Sequence, residues 1–360
     1  MFLKKSLVIF SCIISIALSA QSKEYEVIVP ELKNPWGFVF LPDNSMLINE
    51  KSGKIIHFKN GVKTTIKNGP EIYLRGQGGL LDIELHPNFT ENGWIYFTYA
   101  SSIGGGRGGN TTLMRAQLKD FALINQEVLY KASPNSNRGQ HFGSRIVFDS
   151  DNHVYFSIGD RGNRDVNPQD LTRDCGKIYR LNDDGSIPSD NPFVSVKNAK
   201  KAIYSYGHRN PQGLVMNPFT NEIWSHEHGP KGGDEINIIK KAKNYGWPKV
   251  SYGVNYSGTK FTDKTYMKGM ESPIHYWTPS IAPSGMAFIN SDVYGNWKGN
   301  LLVGSLKFQY LSRCIVKKDI VFKEVKLLEG IGRVRSIEQG LDGFIYLGVE
   351  NLGIIKLLPQ

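Results

Sequence analysis

His141 and Asp160 are the pair of residues in this sequence best placed to move a proton. His141 follows the polar, Gly-containing stretch Ser133 to Gly139 and opens an apolar run, while Asp160 closes the next such run in Ser157-Ile-Gly-Asp160-Arg-Gly-Asn163. If the two runs pair as antiparallel strands, the start of one and the end of the other lie at the same rim. The carboxylate would then fix the imidazole tautomer and leave the far ring nitrogen as a proton acceptor. A lone histidine is more often structural than catalytic, so the pairing carries this reading.

The densest polar cluster comes later. Gly207-His208-Arg209-Asn210-Pro211 precedes one apolar run, and His226-Glu227-His228-Gly229-Pro230-Lys231-Gly232-Gly233-Asp234-Glu235 follows the next. By the same hairpin argument both loops share a rim. His226 and His228 would share a strand face, as zinc ligands do, but a third ligand is not evident. Gly-flanked backbone oxygens with Asp234 and Glu235 suit a hard cation such as calcium better, and a polar turn holding no ion is the plain alternative. Further on, Arg333 and Arg335 are two apart and therefore share a strand face. Two like charges so placed repel unless an anion lies between them. With Arg209 and Lys307 they would frame a pocket for a polyanion; taken singly, all four read as surface cations.

These residues sit on the ends of a repeated unit. An apolar strand, a turn rich in Asp, Asn, Pro or Gly, and a second apolar strand occur at Gly37 to Ile48, Leu81 to Phe97, Ser144 to Phe156, Gly213 to Trp224, Ser284 to Val303 and Val334 to Tyr346. Six copies about 40 to 70 residues apart predict an all-β six-bladed β-propeller of four-stranded antiparallel sheets. Either the run from Leu352 to Leu358 or the start of the mature chain would close the ring. The best helical candidate is the short stretch Asp234 to Lys243. No linker divides the chain, and the Gly-rich Ser102 to Gly109 is too brief to be one.

The first 20 residues read as a secretory signal peptide: Lys4 and Lys5, the apolar run Ser6 to Leu18, then small residues before Gln21. That run is too short to span a bilayer. Residues 21–360 are then expected to form a single domain, periplasmic or secreted, without stable membrane insertion. The net charge of +10 falls by two, to +8, when both signal lysines leave. Export argues against a nucleic-acid partner. Cys175 and Cys314 remain, as a possible pair or as two buried thiols.

Taken together, the segments resemble the soluble aldose sugar dehydrogenases, of the same superfamily as soluble quinoprotein glucose dehydrogenase. The resemblance covers nearly the whole mature chain. It rests on Asn34-Pro-Trp-Gly37, Arg75-Gly-Gln77-Gly-Gly-Leu80, Gln140-His141, Ile158-Gly-Asp160, Gly207 to Pro211, His228-Gly-Pro230, Gly232 to Glu235, Tyr245-Gly-Trp247, Val254-Asn-Tyr256, Pro279 to Pro283 and Gly332 to Arg335. It implies pyrroloquinoline quinone (PQQ), a tricarboxylate that would explain converging cations, together with calcium. By motif, His141 is similar to the general base and Asp160 to its orienting partner. Arg209 is similar to the residue that stabilises charge on the reduced quinone. Gln77, His141, Arg209, Asn210, Tyr256, Lys307, Arg333 and Arg335 resemble the cofactor pocket. The Gly229 and Pro230 carbonyls resemble ligands of a calcium ion at the quinone, and Glu235 with the Tyr245 carbonyl a second calcium site. The loop Thr278 to Ser284 is expected to border the substrate.

The implied reaction is oxidation of an aldose at the anomeric carbon to a lactone, with electrons passed to a cytochrome, a quinone or a dye. The compact segment from Lys231 to Tyr256 and the modest loops around Tyr256 to Glu271 suggest a broad aldose range. Two rival readings remain. A calcium-dependent lactonase would need Glu, Asn and Asp around a central metal, and no such spaced set is evident. A non-catalytic sugar- or partner-binding propeller should lack the base or the cations, which this chain keeps.

Overall fold

The computed structural model describes residues 24–359, so the signal-peptide expectation for residues 1–20 lies outside the described residues. Six four-stranded antiparallel sheets account for nearly all regular structure. Among the described residues the helices are a single turn at Phe89–Asn92 and a 3-10 turn at Gly295–Trp297.

Each predicted repeat supplies the two inner strands of one blade. The innermost strands are Pro35–Phe40, Leu80–Leu85, Ile146–Phe148, Pro211–Met216, Pro283–Phe288 and Val334–Gln339. Each packs against the innermost strand of the blade before and after it, and the last packs against the first, so the contacts close into a ring. Their apolar faces form the core between blades. Phe97 and Ile83 are buried with Val39 and Leu47, for example, and Trp224 with Phe288 and Val303.

Both candidate closing segments take part in closure. Tyr25–Pro30 pairs antiparallel with Gly353–Leu357, from Tyr25 opposite Leu357 to Pro30 opposite Gly353. The first strand is thus the outer strand of the last blade.

The helical expectation for Asp234 to Lys243 is overturned. Asp234–Ile239 is a strand between Ile223–Glu227 and His275–Trp277. Its β-branched Ile236, Ile238 and Ile239 favour an extended chain, and partners on both sides decide the matter. Cys175 and Cys314 are separate buried thiols, not a disulfide.

A buried arginine ties the blades at the centre. Arg145 donates to the Asp82 carboxylate at 2.6 Å, to the Gln212 carbonyl at 2.9 Å and to the Arg335 carbonyl at 2.7 Å. It also lies 4.1 Å from the centre of the Trp36 ring. Register shifts open the innermost strands of five blades, at Pro35/Gly37, Leu80/Ile83, Pro211/Gly213, Ser284/Met286 and Val334/Ser336. Such bulges bend the strand entry and redirect neighbouring side chains.

Candidate active site

His141 and Asp160 meet as the hairpin argument requires. His141 takes a left-handed backbone conformation (φ 58°) as the chain turns into the third blade. Its N–H donates to the Gln77 side-chain oxygen at 2.7 Å. Gly159 passes so close behind it that a Cβ there would lie 2.5 Å from the His141 carbonyl oxygen. The loop therefore admits no side chain at that point.

The His141 Nδ1 lies 2.6 Å from Asp160 Oδ1. Asp160 is 1 % exposed, and its oxygens also accept the Gly162 N–H at 2.6 Å and the Trp247 indole N–H at 2.8 Å. Burial alone would raise the Asp160 carboxyl, but the His141 bond and the charges of His141 and Arg209 outweigh it and hold it low. An ionised acceptor places the imidazole proton on Nδ1 and leaves Nε2 with a free lone pair. Burial first, then the charge of Arg209, lower the His141 imidazole below its ordinary value, with Asp160 opposing. The ring is thus neutral and ready to accept a proton.

His141 and Asp160 line a cavity of about 510 Å³ together with Gln77, Arg138, Arg164, Arg209, Pro230, Trp247 and Tyr256. Tyr256 is 74 % exposed at its mouth. Arg209 is buried, stands 5.3 Å from the centre of the Trp247 ring and donates to the carbonyls of His228 at 3.0 Å and Gly229 at 2.8 Å. Asn210 lies beneath, where its side-chain oxygen accepts the Gly143 N–H at 3.1 Å.

The expected cluster of four cations takes a different form. Arg333 Nε donates to Glu350 at 2.8 Å, and Arg335 donates to the other oxygen of the same carboxylate at 2.5 Å and 3.0 Å. The anion that spacing demanded between the two arginines is supplied by the protein itself. Lys307 is exposed and lies against Phe308. None of these three lines the cavity that holds His141.

The histidines of the fourth blade are committed elsewhere. His228 Nε2 bonds the Pro283 carbonyl at 2.7 Å and His226 Nε2 the Gly285 carbonyl at 3.2 Å. His208 bridges Ser205 and Glu227. These contacts tie the fourth blade to its neighbours and leave the zinc reading without support. Asp234 accepts bonds from Gly229 N–H and Ser280, which fixes the Gly229–Pro230 turn. Glu235 faces Glu227 directly across the strands. Burial and then the Glu227 charge push the Glu235 carboxyl up to about 8. Both carboxylates, with Tyr245 and Gly229, line a small cavity of about 10 Å³, the size of one water or ion.

Several residues escaped sequence reasoning. Arg138, Arg164, Asn163 and Asp165 line the cavity, but they lie in irregular loops with no periodicity to mark them. Trp247 falls within the Tyr245-Gly-Trp247 motif. An indole flanked by Gly and Pro was the available signal. Glu350 directly follows the strand Ile345–Val349 and carries no local signal.

A six-bladed ring thus carries a histidine hydrogen-bonded to a buried aspartate in an arginine-lined cavity, the architecture of a propeller with a built ligand site. The comparisons place it further: residues 32–356 match the model of the glucose/sorbosone dehydrogenase family, and the chain belongs to that family. The aldose sugar dehydrogenase YliI of Escherichia coli (strain K12) is 39 % identical over 344 residues, covering 93 % of this chain and 92 % of the relative. A crystal structure of a glucose dehydrogenase superposes with a TM-score of 0.90 at 35 % identity, covering 93 % of this chain and 99 % of the other. The PQQ-bound form of the aldose sugar dehydrogenase from Streptomyces coelicolor superposes with a TM-score of 0.77 at 26 % identity, covering 93 % and 97 %.

Proposed function

We propose that this protein oxidises aldose sugars at the anomeric carbon to lactones, with PQQ and calcium as cofactors, and passes the electrons to a cytochrome, quinone or dye after export to the periplasm or beyond. The observation that carries the proposal is the His141–Asp160 pair facing a basic cavity whose about 510 Å³ suits a ligand of cofactor size.

The residues present fit these groups. The Arg209 guanidinium has no carboxylate partner among the described residues, and with Gln77 and Tyr256 it would hold an anionic, planar quinone. The Gly229 and Pro230 carbonyls would hold a calcium ion beside it; the Gly229 oxygen already accepts Arg209 and has a second lone pair. The opposed Glu227 and Glu235, where the ionised form of Glu235 is disfavoured without a cation, fit a second calcium together with the Tyr245 carbonyl. When bound, PQQ supplies a two-electron acceptor and calcium polarises it.

The chain's own residues do the rest. His141 Nε2 takes the proton of the anomeric hydroxyl as the hydrogen on the same carbon departs as hydride. Asp160 stabilises the imidazolium that forms and holds it in register. Arg209, desolvated against Trp247, stabilises negative charge developing nearby. Gln77 fixes the backbone that carries the base.

Reconstitution tests the proposal. Purified protein mixed with calcium and PQQ should reduce a dye acceptor when glucose or other aldoses are added, and no reduction across an aldose panel would overturn it.

A further inference from the structure

A second cavity, of about 150 Å³, opens beside the first and shares Arg138 and Asn163 with it. Its other walls include Arg161, Arg173, Asn110 and Asn167. Three arginines thus line a space large enough for a small oxyanion. The ion pairs formed by other arginines do not extend to Arg138, Arg161 or Arg173 among the described residues.

Arg161 is the central group. It is 1 % exposed and packs against the face of Phe142 at 3.4 Å from the ring centre. Its terminal nitrogens donate to the backbone carbonyls of Gln140, Arg138 and Gly109, while its Nε is buried with no partner. Burial lowers it only to about 10, so it stays charged at neutral pH. A buried cation satisfied by carbonyls alone is costly unless an anion completes it.

The nearby carboxylates are spent elsewhere. Asp160 serves His141, Gly162 and Trp247. Asp174 is taken by Tyr130 at 2.5 Å, the Ser133 N–H at 2.9 Å and Lys200 at 3.1 Å. Among the described residues the Arg173 side chain donates only to Asn167, at 3.3 Å.

We infer that this side cavity is an anion subsite for the substrate, so that the enzyme prefers aldoses bearing a phosphate or carboxylate at the end remote from the anomeric carbon. The inference rests on the proposed sugar oxidation for its biological sense and on the three arginines for its chemistry. Arg161 also supports the carbonyl of Gln140, next to the base, so occupation of the subsite bears on the same loop that positions His141. A planar or tetrahedral oxyanion matches the fork geometry of paired guanidinium groups.

Two measurements test it. Inorganic phosphate titrated calorimetrically into the quinone-free protein should bind, and Arg173→Gln should weaken binding about tenfold. In the holoenzyme, glucose 6-phosphate or glucuronate should show a KM about tenfold below that of glucose. The advantage should vanish in Arg173→Gln and in Arg138→Gln, with the glucose KM unchanged in Arg173→Gln. A lower KM for the phosphorylated sugar alone assigns phosphate, and for glucuronate alone a carboxylate. Equal KM values for neutral and anionic sugars, or an advantage that survives Arg173→Gln, overturn the inference while leaving the dehydrogenase reading intact. Absence of turnover with every sugar would overturn that reading instead, and phosphate binding by wild type but not Arg173→Gln would still support the subsite.

Discussion

The Trp247 indole donates to Asp160 Oδ2 at 2.8 Å, joining a loop of the fourth blade to a loop of the third. With His141 and Gly162 on the other oxygen, the carboxylate cannot rotate, and the imidazole inherits that rigidity. Trp247→Phe removes one bond to a charged group, a loss of about 1.5–3 kcal/mol in positioning. Steady-state dye reduction should show kcat lowered about tenfold or more with KM little changed. A variant with wild-type turnover would show that the indole does not position Asp160.

Asp160→Asn keeps the shape and removes the charge. An amide can donate to Nδ1, which moves the imidazole proton to Nε2, where the base must accept one. The expected loss in kcat/KM is about 10²- to 10⁴-fold. His141→Ala should cost as much, and the double variant should lose little more than either single one, because the two residues act as a unit.

The pH profile follows from the depressed imidazole. His141 is active when neutral, so activity is lost only as pH falls through its folded value. Burial and Arg209 place that value below the ordinary 6.5. The kcat/KM profile should therefore stay level as pH drops past 6.5 and decline only below it. A midpoint above 6.5 would mean that Asp160 outweighs burial and Arg209.

Calcium should act on stability as well as turnover. Ionising Glu235 opposite Glu227 is disfavoured, and a cation between them would relieve this. Thermal unfolding of the quinone-free protein should shift upward on adding calcium and downward with a chelator, with the shift growing as the logarithm of ligand excess. Glu235→Gln should abolish most of the shift. An unchanged melting temperature in wild type would count against a cation at this pair.

Arg145→Met would leave Asp82 buried without its partner. Removing one member of such a pair costs about 3–5 kcal/mol, and here two inter-blade carbonyl bonds go with it. Urea unfolding should register the loss even though Arg145 lies outside the His141 cavity. A near-neutral result would show that the centre of the ring tolerates an apolar plug.

Much of this was legible in the chain. The period-two runs around Gly37, Ser144 and Val334 carry the inner strands because burial against both neighbouring blades demands them. The rim argument alone joined His141 to Asp160. The Asp234 strand was misjudged because its identity depends on partners at Ile223–Glu227 and His275–Trp277, which no local window contains. Arg333 and Arg335 were recognised as needing an anion, yet Glu350, 15 residues beyond Arg335, was invisible until a turn folded it back. The arginines of the side cavity lie in loops whose course is set by tertiary contacts.

The pairing of Tyr25–Pro30 with Gly353–Leu357 has a consequence for biogenesis. The last sheet joins strands more than 300 residues apart in the sequence, so it forms only after the whole chain has emerged. Until then Tyr25–Pro30 has no strand to pair with, and its open edge is a template for foreign strands. A chain released before its final strand would keep the His141 loops but lack the clasp that holds the ring shut, and it should be found among aggregates and protease fragments instead of as a weakened enzyme.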